Sequence, residues 1–220
     1  MDTMANVILV LAPWSSGSTA ITGYLGRVGG WTCPPHQGTT DPRTPNSHEP
    51  KFFRDLLCHC FDELTLKPKQ NPGVFVNYFK PWLEGELAKA TQMGLPFVVL
   101  KHPIAALALT DILTVCSPEV LVVSRPLDQI EQSRLRRRWH RVYGAEGANK
   151  IYSAAFNGLI NHAVSFRTVA YPEFQTKLAY RRRLIGELGF QPTPDMLSAA
   201  ESWIRKPIPR VETAQERPAL

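Results

Sequence analysis

The chain has 220 residues, of which 44% are hydrophobic, so it can bury one sizeable core but is too short for two domains of ordinary size. Its four cysteines are too few for a disulfide-stapled scaffold, and it contains no apolar run of about 18 residues, the length that a transmembrane helix needs. The formal net charge of +6 favours acidic ligands, but nucleic acid, membrane lipid and phosphorylated cofactors all meet that condition.

Apolar runs alternate with helical patterns along the chain. The runs at residues 6–12, 97–100 and 120–123, with a weaker one at 166–170, are typical of parallel strands covered on both faces. Helical spacing is found at residues 19–28, 49–66, 83–93, 105–115, 127–139, 148–162 and 172–188. This alternation predicts an α/β fold, a three-layer doubly wound sandwich around a parallel sheet of about four or five strands.

Residues 33–50 interrupt this alternation. The segment carries five prolines and two histidines and has little periodicity. We interpret it as a surface loop, and loops of this kind often line binding sites. At the other end of the chain, residues 211–220 are polar and without pattern, and we expect them to form a frayed tail.

The segment after the first predicted strand is rich in small and hydroxyl-bearing residues: Ser15, Ser16, Gly17, Ser18 and Thr19. A strand, a tight turn and a helix N-terminus together present backbone N–H groups and the positive end of the helix dipole to an anion. Ordinary helix capping by serine and threonine is the alternative. The layout is that of a P-loop, but Ser18 stands where the Walker motif requires lysine, which argues against an ATPase or kinase.

A second candidate anion element follows the strand predicted at residues 120–123. Arg125 falls at the carboxyl end of that strand, and Ser133 lies about two helical turns further on. A guanidinium offers bidentate hydrogen bonds to a phosphate, and doubly wound sheets bind ligands at this edge. The alternative is a surface arginine and a solvated serine.

Lys101 and His102 follow the strand predicted at residues 97–100 and belong to the same edge. A lysine there can stabilise a departing anion, and a histidine can accept a proton. His102 could equally cap the next helix or form a core hydrogen bond. Glu49, at the start of the helix predicted over residues 49–66, competes as a base, although a carboxylate there is also favourable against the helix dipole.

The loop at residues 16–19 resembles the 5′-phosphosulfate loop of the cytosolic and bacterial sulfotransferases, in which a basic residue precedes Ser-Gly-Thr/Ser-Thr. The chain departs from that pattern at Ser15, where the family usually carries lysine or arginine. In the same family, the spacing seen between Arg125 and Ser133 forms the 3′-phosphate site. The resemblance implies a P-loop NTPase-like fold and 3′-phosphoadenosine 5′-phosphosulfate (PAPS) as co-substrate, without a metal.

The resemblance also suggests roles for residues outside the two phosphate elements. His102 resembles the family's general base or a neighbour of it, and Glu49 resembles a glutamate that faces the acceptor in bacterial members. Residues 169–174 resemble the family's Tyr-Glu-Asp-Leu segment, which implies that Tyr171 lies near the nucleotide. The similarity continues to residue 210.

Together these features predict one cytoplasmic sulfotransferase domain over residues 1–210. It would move a sulfuryl group from PAPS to a hydroxyl or amine of a small-molecule acceptor, and we expect no nucleic-acid partner, membrane span or metal. A P-loop kinase of a small metabolite and a catalytically impaired nucleotide-binding module remain as alternatives. A nucleic-acid binder would depend only on the basic run at residues 134–138, which we interpret as a solvated helix face.

Overall fold

The computed structural model describes residues 5–39, 45–71 and 73–204. Within these ranges the strands are β1 (Asn6–Leu11), β2 (Gly30–Trp31), β3 (His36–Gly38), β4 (Asn46–Pro50), β5 (Phe97–Lys101), β6 (Glu119–Ser124) and β7 (Phe166–Ala170). Five of them form one parallel sheet in the order β2-β5-β1-β6-β7, and β3 pairs with β4 in an antiparallel hairpin.

Helices flank the sheet. They are α1 (Ser18–Arg27), α2 (Lys51–Cys60), α3 (Val74–Gln92), α4 (Leu109–Val115), α5 (Leu127–Arg137), α6 (Ala145–Asn161), α7 (Tyr171–Thr176), α8 (Leu178–Glu187) and α9 (Pro194–Ile204). Short 3₁₀ turns cover Pro103–Ala106 and Arg141–Tyr143. None of the helices among the described residues is long and apolar enough to cross a membrane.

Alternate residues of the central strands enter two separate hydrophobic clusters. Along β1, Val7, Leu9 and Leu11 pack with the cluster that contains α2, α3, α4 and α6. Ile8 and Val10 pack with the cluster that contains α1, α8 and α9. The sheet is therefore covered on both faces, which explains the continuous apolar runs in the sequence and is compatible with a three-layer sandwich.

The strand order brings several loops to one edge of the sheet. The chain leaves β1 for β2 and β5 on one side, and then crosses to β6 and β7 on the other side. Because all five strands are parallel, the segments after β1, β5, β6 and β7 emerge at the same carboxyl edge. The reversal of direction around β1 leaves a crevice there, which is where open α/β sheets bind ligands.

The prediction of a surface loop at residues 33–50 is wrong in part, because this segment contains the β3–β4 hairpin. Ser47, His48 and Glu49 of β4 are buried. Glu49 consequently lies on a strand and not at the start of a helix. The hairpin lacks an alternating pattern because both of its faces are partly covered, so its sequence resembles a loop.

Several predicted helix bounds also differ from the structure. The helix predicted over residues 49–66 is limited to α2, which begins after Pro50 and ends before the extended Phe61. The predicted helix over residues 83–93 begins earlier, at Val74, and includes Pro81. The helix predicted over residues 172–188 is divided at the extended Lys177 into α7 and α8. The predicted domain end at residue 210 and the tail at residues 211–220 lie outside the described residues.

Candidate active site

A cavity of about 360 Å³ opens at the carboxyl edge of the sheet. It is lined by ten of the predicted site residues: Ser15, Gly17, Ser18, Thr19, Glu49, Lys101, His102, Arg125, Ser133 and Tyr171. Ser16, the remaining predicted residue, is fully buried in the loop between β1 and α1. The structure thus brings together side chains that are far apart in the sequence, because the parallel strands deliver them to one edge.

The loop before α1 turns through two residues of left-handed backbone, Ser15 at φ 61° and Gly17 at φ 94°. Glycine is required at position 17 for a second reason, because a Cβ there would lie 2.1 Å from a ring carbon of Tyr171. The buried hydroxyls of Ser15 and Ser16 have no hydrogen-bond partner in the described part of the chain. The N–H groups of a first helical turn also lack intrahelical acceptors, so this loop has donors available for an anion.

Arg125 joins the end of β6 to this loop. Its Nη1 donates to the Ser15 carbonyl at 2.8 Å, and its guanidinium lies 5.2 Å from the centre of the Tyr171 ring. The Tyr152 hydroxyl fixes the backbone here, since it accepts from the Arg125 N–H and donates to the carbonyl of Val123. Burial lowers the pKa of Arg125. No carboxylate within the described ranges forms an ion pair with Arg125, so an anionic ligand would offset the cost of burying its charge.

Lys101 extends from the end of β5 into the same site. Its Nζ donates to Glu49 Oε1 at 2.6 Å, to the Ser47 carbonyl at 3.2 Å and to Thr19 Oγ1 at 3.3 Å. Burial opposes ionisation of Glu49, but the charge and hydrogen bond of Lys101 outweigh it and lower the pKa of the carboxyl. Lys101 and Glu49 therefore form a buried ion pair beside the first turn of α1.

His102 acts as a cap for the 3₁₀ turn that follows β5. Its Nδ1 accepts a hydrogen bond from the Ile104 N–H at 3.2 Å, and burial lowers the pKa of the ring to about 4. The imidazole is consequently neutral at pH 7. Because Nδ1 is an acceptor, the proton of the neutral ring is on Nε2, and His102 can donate from that nitrogen.

Thirteen further residues line the cavity without having been predicted, and those with charged or aromatic side chains are Trp14, Arg54, Glu63, Arg136, Arg137, Trp139 and Trp203. The basic run that contains Arg136 and Arg137 was interpreted as a solvated face. These two residues lie three and four positions after Ser133 on one helix, a spacing that could have placed them at the site. Arg54 and Glu63 come from α2 and the segment after it, and neither position carries a sequence signal of its own.

The electrostatic character of the cavity is basic. Its described lining includes five basic side chains, Arg54, Lys101, Arg125, Arg136 and Arg137, against the two carboxylates of Glu49 and Glu63. A concave site with an excess of positive charge concentrates anions. No group of three or more histidine, cysteine, aspartate or glutamate side chains that could hold a metal ion is found among the described residues.

Neither a scan against models of known protein families nor a search of the curated proteins finds a match for this chain. The geometry and charge of the cavity are therefore the basis on which a function can be assigned.

Proposed function

We propose that the chain is a sulfotransferase of P-loop-like fold that binds PAPS in the cavity at the carboxyl edge of the sheet. One observation carries the proposal: the loop before α1 and Arg125 are in direct contact, through the hydrogen bond to Ser15, in a cavity with an excess of positive charge. Two anion-binding elements at adjoining strand ends suit a nucleotide with phosphates at two positions.

The donor would lie along these two elements. The loop N–H groups, the hydroxyls of Ser18 and Thr19, and Lys101 would hold the 5′-phosphosulfate. Arg125 and Ser133 would hold the 3′-phosphate, since a guanidinium that donates from Nη1 to Ser15 and from Nε to Gln129 retains other N–H groups for a ligand. Tyr171 packs against Gly17 and lines the cavity, and would contact the nucleotide.

Transfer would proceed in line between the acceptor and the leaving nucleotide. The acceptor oxygen forms a bond to sulfur while the bond from sulfur to the bridging phosphate oxygen breaks, and that electron pair remains on adenosine 3′,5′-bisphosphate. Lys101 would stabilise the developing charge. We assign the acceptor proton to Glu49, an ionised side chain that lines the cavity, because the tautomer of His102 makes that residue a donor.

A nucleotide-binding module without turnover is the second candidate. Ser15 favours it, because a hydroxyl replaces the cation that sulfotransferases usually place before the Ser-Gly pair. This module would bind adenosine 3′,5′-bisphosphate as well as an active enzyme does, but would not transfer sulfate. A kinase is less favoured, since Lys101 reaches the loop from β5 and no lysine lies within the loop itself.

Calorimetric titration with adenosine 3′,5′-bisphosphate, beside ATP and AMP, tests the donor site. We expect micromolar binding of the bisphosphate, much weaker binding of AMP, and a loss of at least about tenfold in Arg125→Ala, in line with a lost charge-assisted hydrogen bond. Arg167→Ala is the matched control, because Arg167 pairs with Glu119 at the amino end of the neighbouring strand. Equal affinity for AMP and the bisphosphate would rule out the proposal.

A further inference from the structure

A smaller pocket of about 190 Å³ adjoins the main cavity. It is lined by Trp14, Glu63, Trp139 and Tyr143, and all of these except Tyr143 also line the main cavity. None of the residues that we propose to bind the donor lines this pocket. It therefore lies beside the proposed donor site, where the part of a second substrate that does not react would fit.

Three aromatic rings bound this pocket at steep angles to one another. The rings of Trp14 and Tyr143 have centroids 4.9 Å apart with an interplanar angle of 71°, and those of Trp139 and Tyr143 lie 5.8 Å apart at 74°. At these distances Tyr143 is in edge-to-face contact with both tryptophans, and the three rings form the aromatic part of the pocket lining. The faces of aromatic rings carry negative partial charge and attract cations.

Glu63 places a carboxylate in the lining of the aromatic pocket, where it accepts a hydrogen bond from the Tyr143 hydroxyl. Its side chain is 28% exposed, and its nearest guanidinium partner, Arg54 Nη2, is 3.7 Å from Oε2, which is longer than a hydrogen bond. Arg54 also donates to Asp55 at 3.1 Å, so its charge is shared between two carboxylates. Burial, the charge of Glu63 and the hydrogen bond to it raise the pKa of Tyr143 to about 12, so the phenol keeps the proton that it donates to Glu63.

One aromatic wall already faces a cation. The guanidinium of Arg137 lies 4.6 Å from the centre of the Trp139 ring. Arg137 lines the main cavity and not the smaller pocket, so it does not fill the aromatic space. A bound nucleotide with several negative charges would attract the guanidinium of Arg137 and its basic neighbours. Glu63 and the three rings would then be left to bind a positively charged group.

We propose that this pocket binds an alkylated ammonium group, and, on the assumption that the proposed function is correct, that the acceptor is an alcohol carrying such a group. Rings at several angles with a carboxylate at the border suit a diffuse cation with apolar substituents. An uncharged aromatic acceptor would use the rings but not Glu63. The charge of the ligand therefore separates this proposal from a plain apolar subsite.

The test compares choline with 3,3-dimethyl-1-butanol, which has the same shape without the charge. Binding is measured by quenching of tryptophan fluorescence, with and without adenosine 3′,5′-bisphosphate. We expect choline to bind at least about tenfold more tightly than the neutral alcohol, and Glu63→Gln and Trp139→Leu each to remove most of that preference. Glu119→Gln, at the amino end of β6, is the control and should retain it.

Two outcomes would overturn the proposal: equal binding of the two alcohols by the wild-type protein, or a preference that persists in Glu63→Gln. The first comparison uses only the wild-type protein, so it remains a valid test even if Trp139→Leu fails to fold. Trp139→Phe then tests the role of the ring with less change in packing. Titration of the bisphosphate into the same samples reports the donor site separately. Binding of the bisphosphate without a preference for choline would rule out only the proposed pocket. A preference for choline without binding of the bisphosphate would rule out only the sulfotransferase function.

Discussion

Gly17 meets two separate constraints at the tip of the anion loop, a left-handed backbone and the ring of Tyr171. We predict that Gly17→Ala lowers the free energy of unfolding by about 1–3 kcal/mol, since a Cβ in left-handed backbone costs about 1–2 kcal/mol and Tyr171 must also move. The displaced loop should weaken binding of adenosine 3′,5′-bisphosphate by at least about tenfold. Urea unfolding and calorimetry measure the two effects.

Gly85 provides the matched control for this substitution. It lies on an exposed part of α3, and a Cβ there would meet nothing within 4 Å. Gly85→Ala should therefore stabilise the protein by about 0.5–1 kcal/mol and leave nucleotide binding unchanged. If Gly17→Ala and Gly85→Ala had the same effects on stability and on nucleotide binding, the contact between Tyr171 and the loop would not determine the conformation of the site.

Two buried histidines predict a stability that depends on pH. Burial lowers the pKa of His102 to about 4, and burial together with His36 and Arg27 lowers that of His48 to about 3. Both remain neutral in the folded protein below the ordinary histidine pKa of about 6.5, whereas the unfolded chain takes up protons. The free energy of unfolding should thus fall as pH decreases from about 6.5 to 4, by up to about 1.4 kcal/mol per pH unit for each histidine.

Urea unfolding between pH 7 and pH 4.5 checks this dependence. His102→Asn should reduce the slope of stability against pH in that window, because it removes one of the two protonation differences. His59→Asn is the control, since the His59 side chain is exposed on α2. A slope that is the same in the wild type and in His102→Asn would contradict the neutral, capping state assigned to His102.

At the scale of elements, the β3–β4 hairpin is attached to the sheet by the buried Lys101–Glu49 ion pair. We predict that Lys101→Met alone lowers the free energy of unfolding by about 3–5 kcal/mol, because it leaves the Glu49 carboxylate buried without a counter-ion. The double variant Lys101→Met/Glu49→Leu should be less destabilised than this single variant. Chemical unfolding of both variants measures the difference.

The exposed pair Lys51–Asp55 on α2 is the comparison for that cycle. Removing it should change the free energy of unfolding by less than about 1 kcal/mol, as expected of a solvated i,i+4 pair. Equal losses of stability on removal of the two pairs would mean that the Lys101–Glu49 ion pair does not attach the hairpin to the sheet.

The elements differ in how well the sequence predicts them. The cores of β1, β5 and β6 were predicted because strands covered on both faces are continuous apolar runs. The two-residue β2 is too short to show any period, and the β3–β4 hairpin is positioned by long-range contacts such as Lys101 with Glu49. Glu49 could therefore be named as a site residue from the sequence but not placed on its strand.

At the scale of the whole molecule, the parallel order of the strands explains which parts of the site were predictable. Residues directly after β1, β5 and β6 must meet at the carboxyl edge, and the sequence alone places Lys101 and Arg125 there. Arg54, Glu63 and Trp139 reach the same cavity from segments that follow no central strand. Their positions depend on how α2 and the turn after α5 pack, which no local pattern encodes.

The crystal structure of the protein with adenosine 3′,5′-bisphosphate tests the central claim most directly. We predict that the 5′-phosphate lies against the loop of Ser15 to Thr19 at the N-terminus of α1, and that the 3′-phosphate lies within hydrogen-bond distance of Arg125 and Ser133. A bisphosphate bound away from this loop, or one whose 3′-phosphate contacts neither Arg125 nor Ser133, would contradict the assignment of the cavity as a PAPS site.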